Sequence, residues 1–301
     1  MTAADSVTHV LTVDLEPWFT RGSALFGDAE GCADVDWHFD SLPGNVEQLV
    51  ELLDRHGVRA TFFVLGPVAE KMPGLVADLA RAGHEIALHG YAHKLLYNCT
   101  PEELREDLQR STDVVGEASG QRPMGYRAPY FSVTRHSLWA LDVLAELGFR
   151  YDSSIFPVAR RLYGMPDFCP QATWVRTPAG RELFEVPPAT LATWRWKIPV
   201  AGGGYWRVLP TGAILRAVQT LERRGQPAVL YLHPYELNPH DAELAADRSS
   251  FRNRCMLAWQ RMGRRSFAAK LEAVLRRFSL RPLREVFASQ LDRPGSPRTF
   301  D

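Results

Sequence analysis

Short apolar runs alternate with longer amphipathic segments along most of this sequence, and this alternation is the feature that most limits the possible folds. Residues 8–15 and 59–65 are rich in β-branched and aromatic side chains, which is typical of buried strands. Residues 43–57 and 67–83, which follow these two runs, have the apolar spacing of helices. Repeated strand–helix units of this kind require right-handed crossovers and a parallel sheet.

The alternation continues through the rest of the chain. Residues 84–89 have the pattern of a strand, and residues 100–118 have the pattern of a helix that starts with a capping box formed by Thr100 and Glu103. Residues 227–233 predict another buried strand. We therefore expect an α/β fold in which most strands are followed by a helix.

Two architectures fit this pattern, an open doubly wound sheet and a closed barrel. No GxGxxG segment follows the first strand, which weakens the case for a dinucleotide-binding sheet. Polar residues capable of chemistry stand at the ends of five predicted strands, as catalytic groups do in barrels. These residues are Asp14, Glu16, His89, His93, Arg127, Asp152 and His233. The sequence therefore predicts a distorted (β/α) barrel of roughly seven strands.

Composition excludes several other classes of protein. The 35 Lys and Arg residues balance 35 Asp and Glu, and 46% of the residues are hydrophobic, which argues against a disordered chain and against a globally basic nucleic-acid binder. The four cysteines are scattered without a CxxC pair, so neither a disulfide scaffold nor a cysteine zinc knuckle is expected. No apolar run is long enough to predict a transmembrane segment, and no secretory pattern opens the chain, so we expect a cytoplasmic protein.

The charge is nevertheless unevenly distributed. Residues 251–301 contain twelve Lys or Arg against four acids. We expect a barrel domain at 1–240 and an Arg-rich helical extension at 241–301 that packs on the barrel, with its last residues frayed. The basic extension is a candidate for association with a surface or partner.

Two histidines and two carboxylates suggest a metal site. His89 and His93 are four residues apart directly after a predicted strand, and Asp14 and Glu16 lie on one face of the first strand. Two imidazoles and one carboxylate with an open fourth position are typical of hydrolytic zinc sites. The remaining carboxylate is then available as a general base, and the sequence leaves open which carboxylate has which role.

In chain order, the segments TVDLE, ATFFVLG, GHEIALHGYAH, GYRAP, YDSS and YLHP resemble the polysaccharide deacetylase domain (NodB homology, carbohydrate esterase 4). The resemblance is strongest to the signal-less branch of this family that is associated with exopolysaccharide synthesis. It implies a distorted (β/α) barrel and the metal-dependent removal of an acetyl group from an N-acetylated amino sugar.

The resemblance also implies roles for individual residues. His89 and His93 match the two metal-binding histidines, and Asp14 matches the catalytic base. The family usually has a metal-binding Asp directly after the base, where this chain has Leu15. Glu16 is the expected replacement ligand, and the departure leaves the roles of Asp14 and Glu16 interchangeable.

The later motifs imply the remaining catalytic groups. Arg127 matches an arginine that positions the base, and Asp152 resembles the acid that partners it. The backbone N–H of Tyr130 is the expected oxyanion donor. His233 resembles the general acid, and Leu232 the residue that lines the acetyl pocket.

Several further residues are candidates for contacts with substrate. Trp18, Trp194, Trp196 and Trp206 could stack on the apolar faces of sugar rings, and Tyr205 lies in a Gly-rich segment predicted as a flexible loop. Glu236 could either contact substrate or cap the turn after His233.

The predicted function is therefore a metal-dependent N-deacetylase of an amino sugar or glycan. One divalent metal is expected, zinc before cobalt or nickel. The alternatives are a related C–N hydrolase acting on a cyclic imide or ureide, with which the Asp-x-Glu arrangement is compatible, and a catalytically inactive sugar-binding barrel. Metal content and a substrate panel separate the three.

Overall fold

The computed structural model describes residues 7–19, 37–160, 162–193, 197–241, 251–293 and 295–300. Within these ranges, no helix combines the length and apolar character needed to cross a membrane.

The strands are short, and most of them belong to one sheet. They are β1 His9–Leu15, β2 Trp18–Phe19, β3 Trp37–His38, β4 Thr61–Val64, β5 Glu85–Leu88, β6 Gly125–Tyr126, β7 Tyr151–Asp152, β8 Thr173–Arg176, β9 Glu182–Glu185, β10 Thr190–Ala192, β11 Lys197–Pro199, β12 Val229–Leu232 and β13 Leu280–Arg281.

The main sheet has the order β12-β1-β4-β5-β6-β7-β9-β8, and β13 pairs with the first residues of β1. The seven strands from β12 to β9 in this order are parallel, and β8 is antiparallel to β9. This curled mixed α/β sheet confirms the prediction of a single domain of the distorted (β/α) barrel type. The antiparallel strand β8 and the small β2–β3 and β10–β11 pairs were not predicted.

Helices connect the strands and cover the outside of the sheet. They are α1 Leu42–Arg55, α2 Gly66–Lys71, α3 Pro73–Arg81, α4 Pro101–Ser119, α5 Trp139–Glu146, α6 Gly203–Val208, α7 Thr211–Arg223, α8 Phe251–Arg261, α9 Phe267–Arg277, α10 Leu283–Val286 and α11 Ala288–Asp292. The predicted capping box is present at α4: Thr100 Oγ1 accepts from Glu103 N–H, and the Glu103 carboxylate accepts from Thr100 N–H.

The Gly-rich segment that was predicted as a flexible loop is helical, which corrects that prediction. Gly202 has a φ of 141° and pairs with Tyr231 of β12, and a Cβ at this glycine would lie 1.9 Å from the Tyr231 carbonyl oxygen. The glycines therefore allow a close approach to the sheet, and α6 begins immediately afterwards.

Side chains alternate between the two faces of the parallel strands. Inward-facing residues such as Val10, Phe63 and Tyr151 form an apolar cluster inside the curled sheet. Outward-facing residues such as Leu11 and Val13 join the larger core beneath the helices. The inward positions at the carboxyl ends of the strands are polar, and they form the candidate site.

The chain after α9 returns to the sheet. Leu283 of α10, Leu291 of α11 and Phe287 between the two helices pack into the inner cluster at the end of the barrel opposite the site. Arg298 N–H donates to Trp174 O and Arg298 O accepts from Arg176 N–H, so this stretch is paired with β8 where fraying was predicted. The open edge of β8 supplies backbone partners that the local sequence does not reveal.

Candidate active site

Neighbouring strand ends bring the predicted polar residues together. Asp14 is the second-last residue of β1 and Glu16 follows the strand, while His89 follows β5 and His233 follows β12. Both carboxylates and His89 are almost completely buried. The carboxyl ends of parallel strands meet at one edge, which explains how residues more than 200 positions apart share a site.

Glu16, His89 and His93 form the one group of three His, Cys, Asp or Glu residues among the described residues that could hold a metal ion. Glu16 Oε2 lies 2.7 Å from His93 Nε2 and 3.6 Å from His89 Nε2. His89 Nδ1 lies 2.8 Å from the Arg127 carbonyl oxygen, which can only accept, so Nδ1 carries the hydrogen. His89 Nε2 therefore faces Glu16 as the coordinating atom, which is the usual arrangement of a metal-binding histidine.

The turn between the two histidines is held from α4. Asp107 accepts hydrogen bonds from the backbone N–H groups of Tyr91 and Ala92, each at 2.7 Å. His93 has a φ of 52°, a strained value for a residue other than glycine. Such strain persists only where the surroundings enforce it, and it is concentrated at functional sites.

The charges of the cluster are mutually stabilising. Burial alone would raise the pKa of Glu16, but the charge of His93 and the hydrogen bonds of His89 and His93 lower it well below its usual range. Glu16 therefore carries the negative charge that a bound cation would meet.

Asp14 is held by an arginine instead of by the two histidines. Arg127 Nη1 lies 2.7 Å from Asp14 Oδ1 and 2.8 Å from Thr12 Oγ1. The other guanidinium nitrogens donate to the carbonyl and hydroxyl oxygens of Ser153, and the guanidinium carbon lies 4.1 Å from the centre of the Phe63 ring. Arg127 is fully buried, so these contacts fix the orientation of Asp14 Oδ1 and leave Oδ2 facing the site.

His233 faces both carboxylates. Its Nε2 atom lies 3.8 Å from Asp14 Oδ2 and 3.6 Å from Glu16 Oε1, while Nδ1 lies 3.5 Å from Glu236 Oε2. Burial lowers the pKa of His233, but the hydrogen bond to Glu236 and the nearby carboxylates outweigh it, and the net shift is upward. The Glu236 carboxylate is held in turn by Arg207, whose Nε lies 3.5 Å from it. It accepts from the His233 backbone N–H and faces His233 Nδ1, so it orients the imidazole.

Tyr130 lies beside the metal-site histidines. Its ring centre is 5.0 Å from that of His93, and its φ of 54° follows directly after Pro129. The role of its backbone N–H as an oxyanion donor stays a prediction.

Asp152 is not the partner of Arg127, which corrects the prediction. Asp152 is aligned with Tyr126 and Glu185 on the neighbouring strands, and Asp152 Oδ1 accepts from the Ser154 hydroxyl at 2.5 Å. Because side chains alternate along a strand, Asp152 faces outward, and the next residue, Ser153, faces Arg127.

Leu232 and Trp206 also differ from their predicted positions. Leu232 is aligned with Val13 on the outward face and is buried in the main core, so the inward residue next to His233 in that strand is Tyr231. Trp206 is only 1% exposed, and its indole N–H donates to the Val200 carbonyl. Neither side chain lies where a sugar could contact it.

The other substrate candidates have mixed outcomes. Trp18 is 4% exposed and packs edge-on against Tyr235, which itself stacks on His233. Tyr205 is partly exposed, and its hydroxyl lies 2.7 Å from that of Tyr163. Trp194 and Trp196 lie outside the described residues.

Several residues of the site were missed by the sequence analysis. Thr12 could have been found, because it lies two residues before Asp14 on the same strand face. Ser153 lies in the YDSS motif but was passed over in favour of Asp152, whereas Asp107 and Arg207 carry no local pattern that separates them from ordinary surface or loop residues.

Comparisons with known proteins fit this arrangement. Residues 30–151 match the family model described as polysaccharide deacetylase, and residues 153–288 match a model described as a domain of unknown function, DUF3473. Asp14, Glu16 and His233 lie outside the first match.

Two curated relatives each match about two fifths of the chain. One is the peptidoglycan-N-acetylglucosamine deacetylase of Bacillus cereus, with 32% identity over 129 residues, covering 42% of this chain and 46% of the relative. The other is the chitooligosaccharide deacetylase of a Bradyrhizobium species, with 32% identity over 123 residues, covering 40% of this chain and 53% of the relative. The chain thus spans about half the length of these relatives.

Solved structures share the fold over nearly the whole chain. A candidate polysaccharide deacetylase from Mycobacterium smegmatis has a TM-score of 0.63 at 21% identity and covers 100% of this chain and 96% of its own. PuuE allantoinase has a TM-score of 0.61 at 15% identity, and the match covers 96% of this chain and 92% of the allantoinase. At these identities the likeness shows the fold and does not favour a cyclic ureide as substrate.

Proposed function

We propose that this chain is a metal-dependent N-deacetylase of an N-acetylated amino sugar or of a glycan that contains one, a proposal supported by the match of residues 30–151 to the polysaccharide deacetylase family model. The observation that carries the proposal is the convergence of three groups at one edge of the sheet: the Glu16–His89–His93 cluster, the Asp14–Arg127 pair and the His233–Glu236 pair.

The residues present fit a divalent metal. Glu16 Oε2 is buried and faces two imidazole nitrogens, and the Arg127 carbonyl sets the tautomer of one of them, His89. Glu16, His89 and His93 would hold the ion, which when bound lowers the pKa of water and polarises the amide carbonyl. Zinc suits these donors best, and cobalt and nickel accept the same set.

Asp14 is the proposed general base. Arg127 occupies Asp14 Oδ1, which leaves Oδ2 to accept the proton of the attacking water. This assignment makes Glu16 the metal ligand, because it is the carboxylate that contacts both histidines.

His233 is the proposed general acid. Its raised pKa favours the protonated imidazole, and Nε2 faces the site while Nδ1 faces Glu236. The proton on Nε2 passes to the amine nitrogen, which is a poor leaving group until it is protonated. The Tyr130 backbone N–H stabilises the oxyanion from the opposite rim.

The assignment is tested by acetate release from N-acetylglucosamine oligomers together with bound zinc per chain. Asp14→Asn is expected to abolish acetate release and keep the zinc, whereas Glu16→Gln is expected to lose both. Asp113→Asn, which changes an exposed acid on α4, is the matched control and should keep both. Acetate release by Asp14→Asn at the wild-type rate would contradict the proposed base.

We further propose that the Arg-rich C-terminal part associates with an anionic surface. Phe251, Trp259 and Met262 are 75%, 45% and 52% exposed, and Arg254 and Arg265 are exposed nearby. Apolar side chains flanked by arginines are typical of helices that bind anionic membrane surfaces. Cosedimentation with phosphatidylglycerol vesicles and not with phosphatidylcholine vesicles is expected, with loss of binding in Trp259→Ala. Equal binding to both vesicles would contradict it.

A cytoplasmic location stays a prediction. Cell fractionation with antibodies against the chain and against a periplasmic marker tests it.

A further inference from the structure

Two buried carboxyl groups lie side by side on the outward face of the sheet. Asp152 of β7 is aligned with Glu185 of β9, and both are fully buried. Aligned residues of neighbouring parallel strands project from the same face, so the two carboxyl groups are adjacent. Neither belongs to the Glu16–His89–His93 cluster or contacts it.

Each carboxyl group has one occupied oxygen and one without a donor. Asp152 Oδ1 accepts from the Ser154 hydroxyl, and Glu185 Oε1 accepts from the Ile155 N–H at 3.0 Å. Asp152 Oδ2 and Glu185 Oε2 have no hydrogen-bond donor among the described residues. A single proton between these two oxygens would satisfy both, whereas two ionised carboxylates would leave both unsatisfied and repel each other.

The surroundings favour the protonated pair. Burial raises the pKa of Asp152 to about 6, and burial together with the charge of Asp152 raises the pKa of Glu185 well above its usual range. The charged and titratable groups that act on the pair are the Arg127 guanidinium and the Tyr126 phenol. Arg127 directs its hydrogen bonds to Thr12, Asp14 and Ser153, so it does not neutralise the pair.

The pair holds the backbone on which the active site depends. The Ser154 hydroxyl donates to Asp152 and accepts from the Ala128 N–H at 2.7 Å. Ser153, directly before it, accepts two hydrogen bonds from Arg127. Asp152 and Glu185 therefore fix the segment 153–155, which in turn fixes Arg127 and the start of the strained turn at Tyr130.

We propose that Asp152 and Glu185 share one proton at neutral pH and act as positioning residues, which hold Arg127 and the Tyr130 turn in the geometry that Asp14 and the oxyanion require. The kinetic consequences rest on the proposed deacetylase activity, whereas the shared proton does not.

The shared proton is tested first, by infrared difference spectroscopy of the full chain at neutral pH. The wild type is expected to show the carbonyl band of a protonated carboxylic acid. Asp152→Asn and Glu185→Gln should each remove it, because an amide N–H then donates to the remaining carboxylate. Asp113→Asn should keep it. A wild type without the band, or a band that persists in both variants, would overturn the shared proton.

The positioning role is tested by kinetics on the same variants. Asp152→Asn and Glu185→Gln should keep kcat within about threefold of the wild type, because the amide replaces the hydrogen bond of the shared proton. Ser154→Ala should lower kcat by about tenfold with unchanged KM and zinc content, since it disconnects the Ala128 N–H from the pair. Ser289→Ala, an exposed serine, is the control.

The pH profile separates positioning from a merely structural role. The wild-type kcat should fall at alkaline pH both when His233 loses its proton and when the shared proton is lost, and in Glu185→Gln only the fall due to His233 should remain, because the amide cannot ionise. Superimposable profiles, or a wild-type kcat in Ser154→Ala, would overturn the positioning role. If no glycan is deacetylated at all, the proposed function fails, while the infrared band still decides the shared proton.

Discussion

At the scale of single residues, each reacting group is oriented by one partner that occupies one of its atoms. His89 Nδ1 donates to the Arg127 carbonyl, and the Arg127 guanidinium donates to Asp14 Oδ1. The Glu236 carboxylate faces His233 Nδ1. In each case the other atom of the group is left facing the site. This division lets Asp14 and Glu16, two positions apart, have different proposed roles.

Replacing Glu236 tests this division for the general acid. Glu236→Gln removes the charge that faces His233 Nδ1 and keeps an acceptor for the His233 backbone N–H. We expect kcat to fall by about tenfold or more with unchanged zinc content, because the acid is less well oriented and less readily protonated. Steady-state kinetics with Glu117→Gln, an exposed acid on α4, as control measures this. An unchanged kcat would show that Glu236 only caps the turn.

The residue types of the site could be predicted from the sequence, but the strand face of some residues was misjudged. Asp152 and Leu232 are each one position away from an inward-facing residue, Ser153 and Tyr231. Counting the alternation back from His233 would have placed Leu232 outward, whereas the face of Asp152 depends on its register with Tyr126 of the neighbouring strand. The burial of Trp206 could not be predicted, because it depends on Gly202 approaching β12.

At the scale of elements, the proposed site and the buried histidines that stabilise the fold lie at opposite ends of the strands. The carboxyl ends of the strands carry the residues to which we assign catalytic roles, whereas buried histidines lie at the other ends. His9 Nδ1 accepts from the Ala228 N–H, and His84 Nδ1 accepts from the Ala60 N–H. Burial lowers the pKa of each histidine to about 4, so both are neutral in the folded chain at neutral pH.

These histidines make stability depend on pH. Their folded-state pKa lies below the unfolded value, so the unfolded chain binds more protons between about pH 4 and pH 6.5 and stability falls as the pH falls through this window. The free energy of unfolding should decrease by about 1.4 kcal/mol per pH unit for each histidine.

Urea unfolding at a series of pH values measures this effect. His84→Asn keeps an acceptor for the Ala60 N–H and removes the titration, so its acid slope should be shallower than that of the wild type. His136→Asn, which changes an exposed histidine, should leave the slope unchanged. Equal slopes for His84→Asn and the wild type would contradict the prediction.

At the scale of the whole molecule, one sheet crosses the boundary between the two matched family models. The first match ends at residue 151 and the second begins at residue 153. The strand β7, Tyr151–Asp152, lies at this boundary and pairs with β6 on one side and with β9 on the other. The site needs residues from both parts, since His233 lies in the second. The strand–helix alternation and the polar residues at strand ends predicted one barrel, whereas its closure by α10 and α11 had no signal in the sequence.

The closing helices should therefore be essential to stability. Phe287 is 5% exposed, and its ring centre lies 5.6 Å from that of Phe184 inside the sheet. Phe287→Ala should lower the free energy of unfolding by about 3–5 kcal/mol, the usual range for a buried Phe-to-Ala change. Phe251→Ala, at a 75% exposed site, should change it by less than about 0.5 kcal/mol. Comparable stabilities in urea unfolding would show that α10 and α11 are peripheral.

The most direct test of the account is acetate release from N-acetylglucosamine oligomers by the purified chain before chelation, after chelation and after zinc is restored. The account predicts release that is lost with the metal and recovered with zinc, and that His89→Ala cannot recover. Release that persists in the fully chelated protein, or in His89→Ala at the wild-type rate, would contradict a deacetylase that works through the Glu16–His89–His93 cluster.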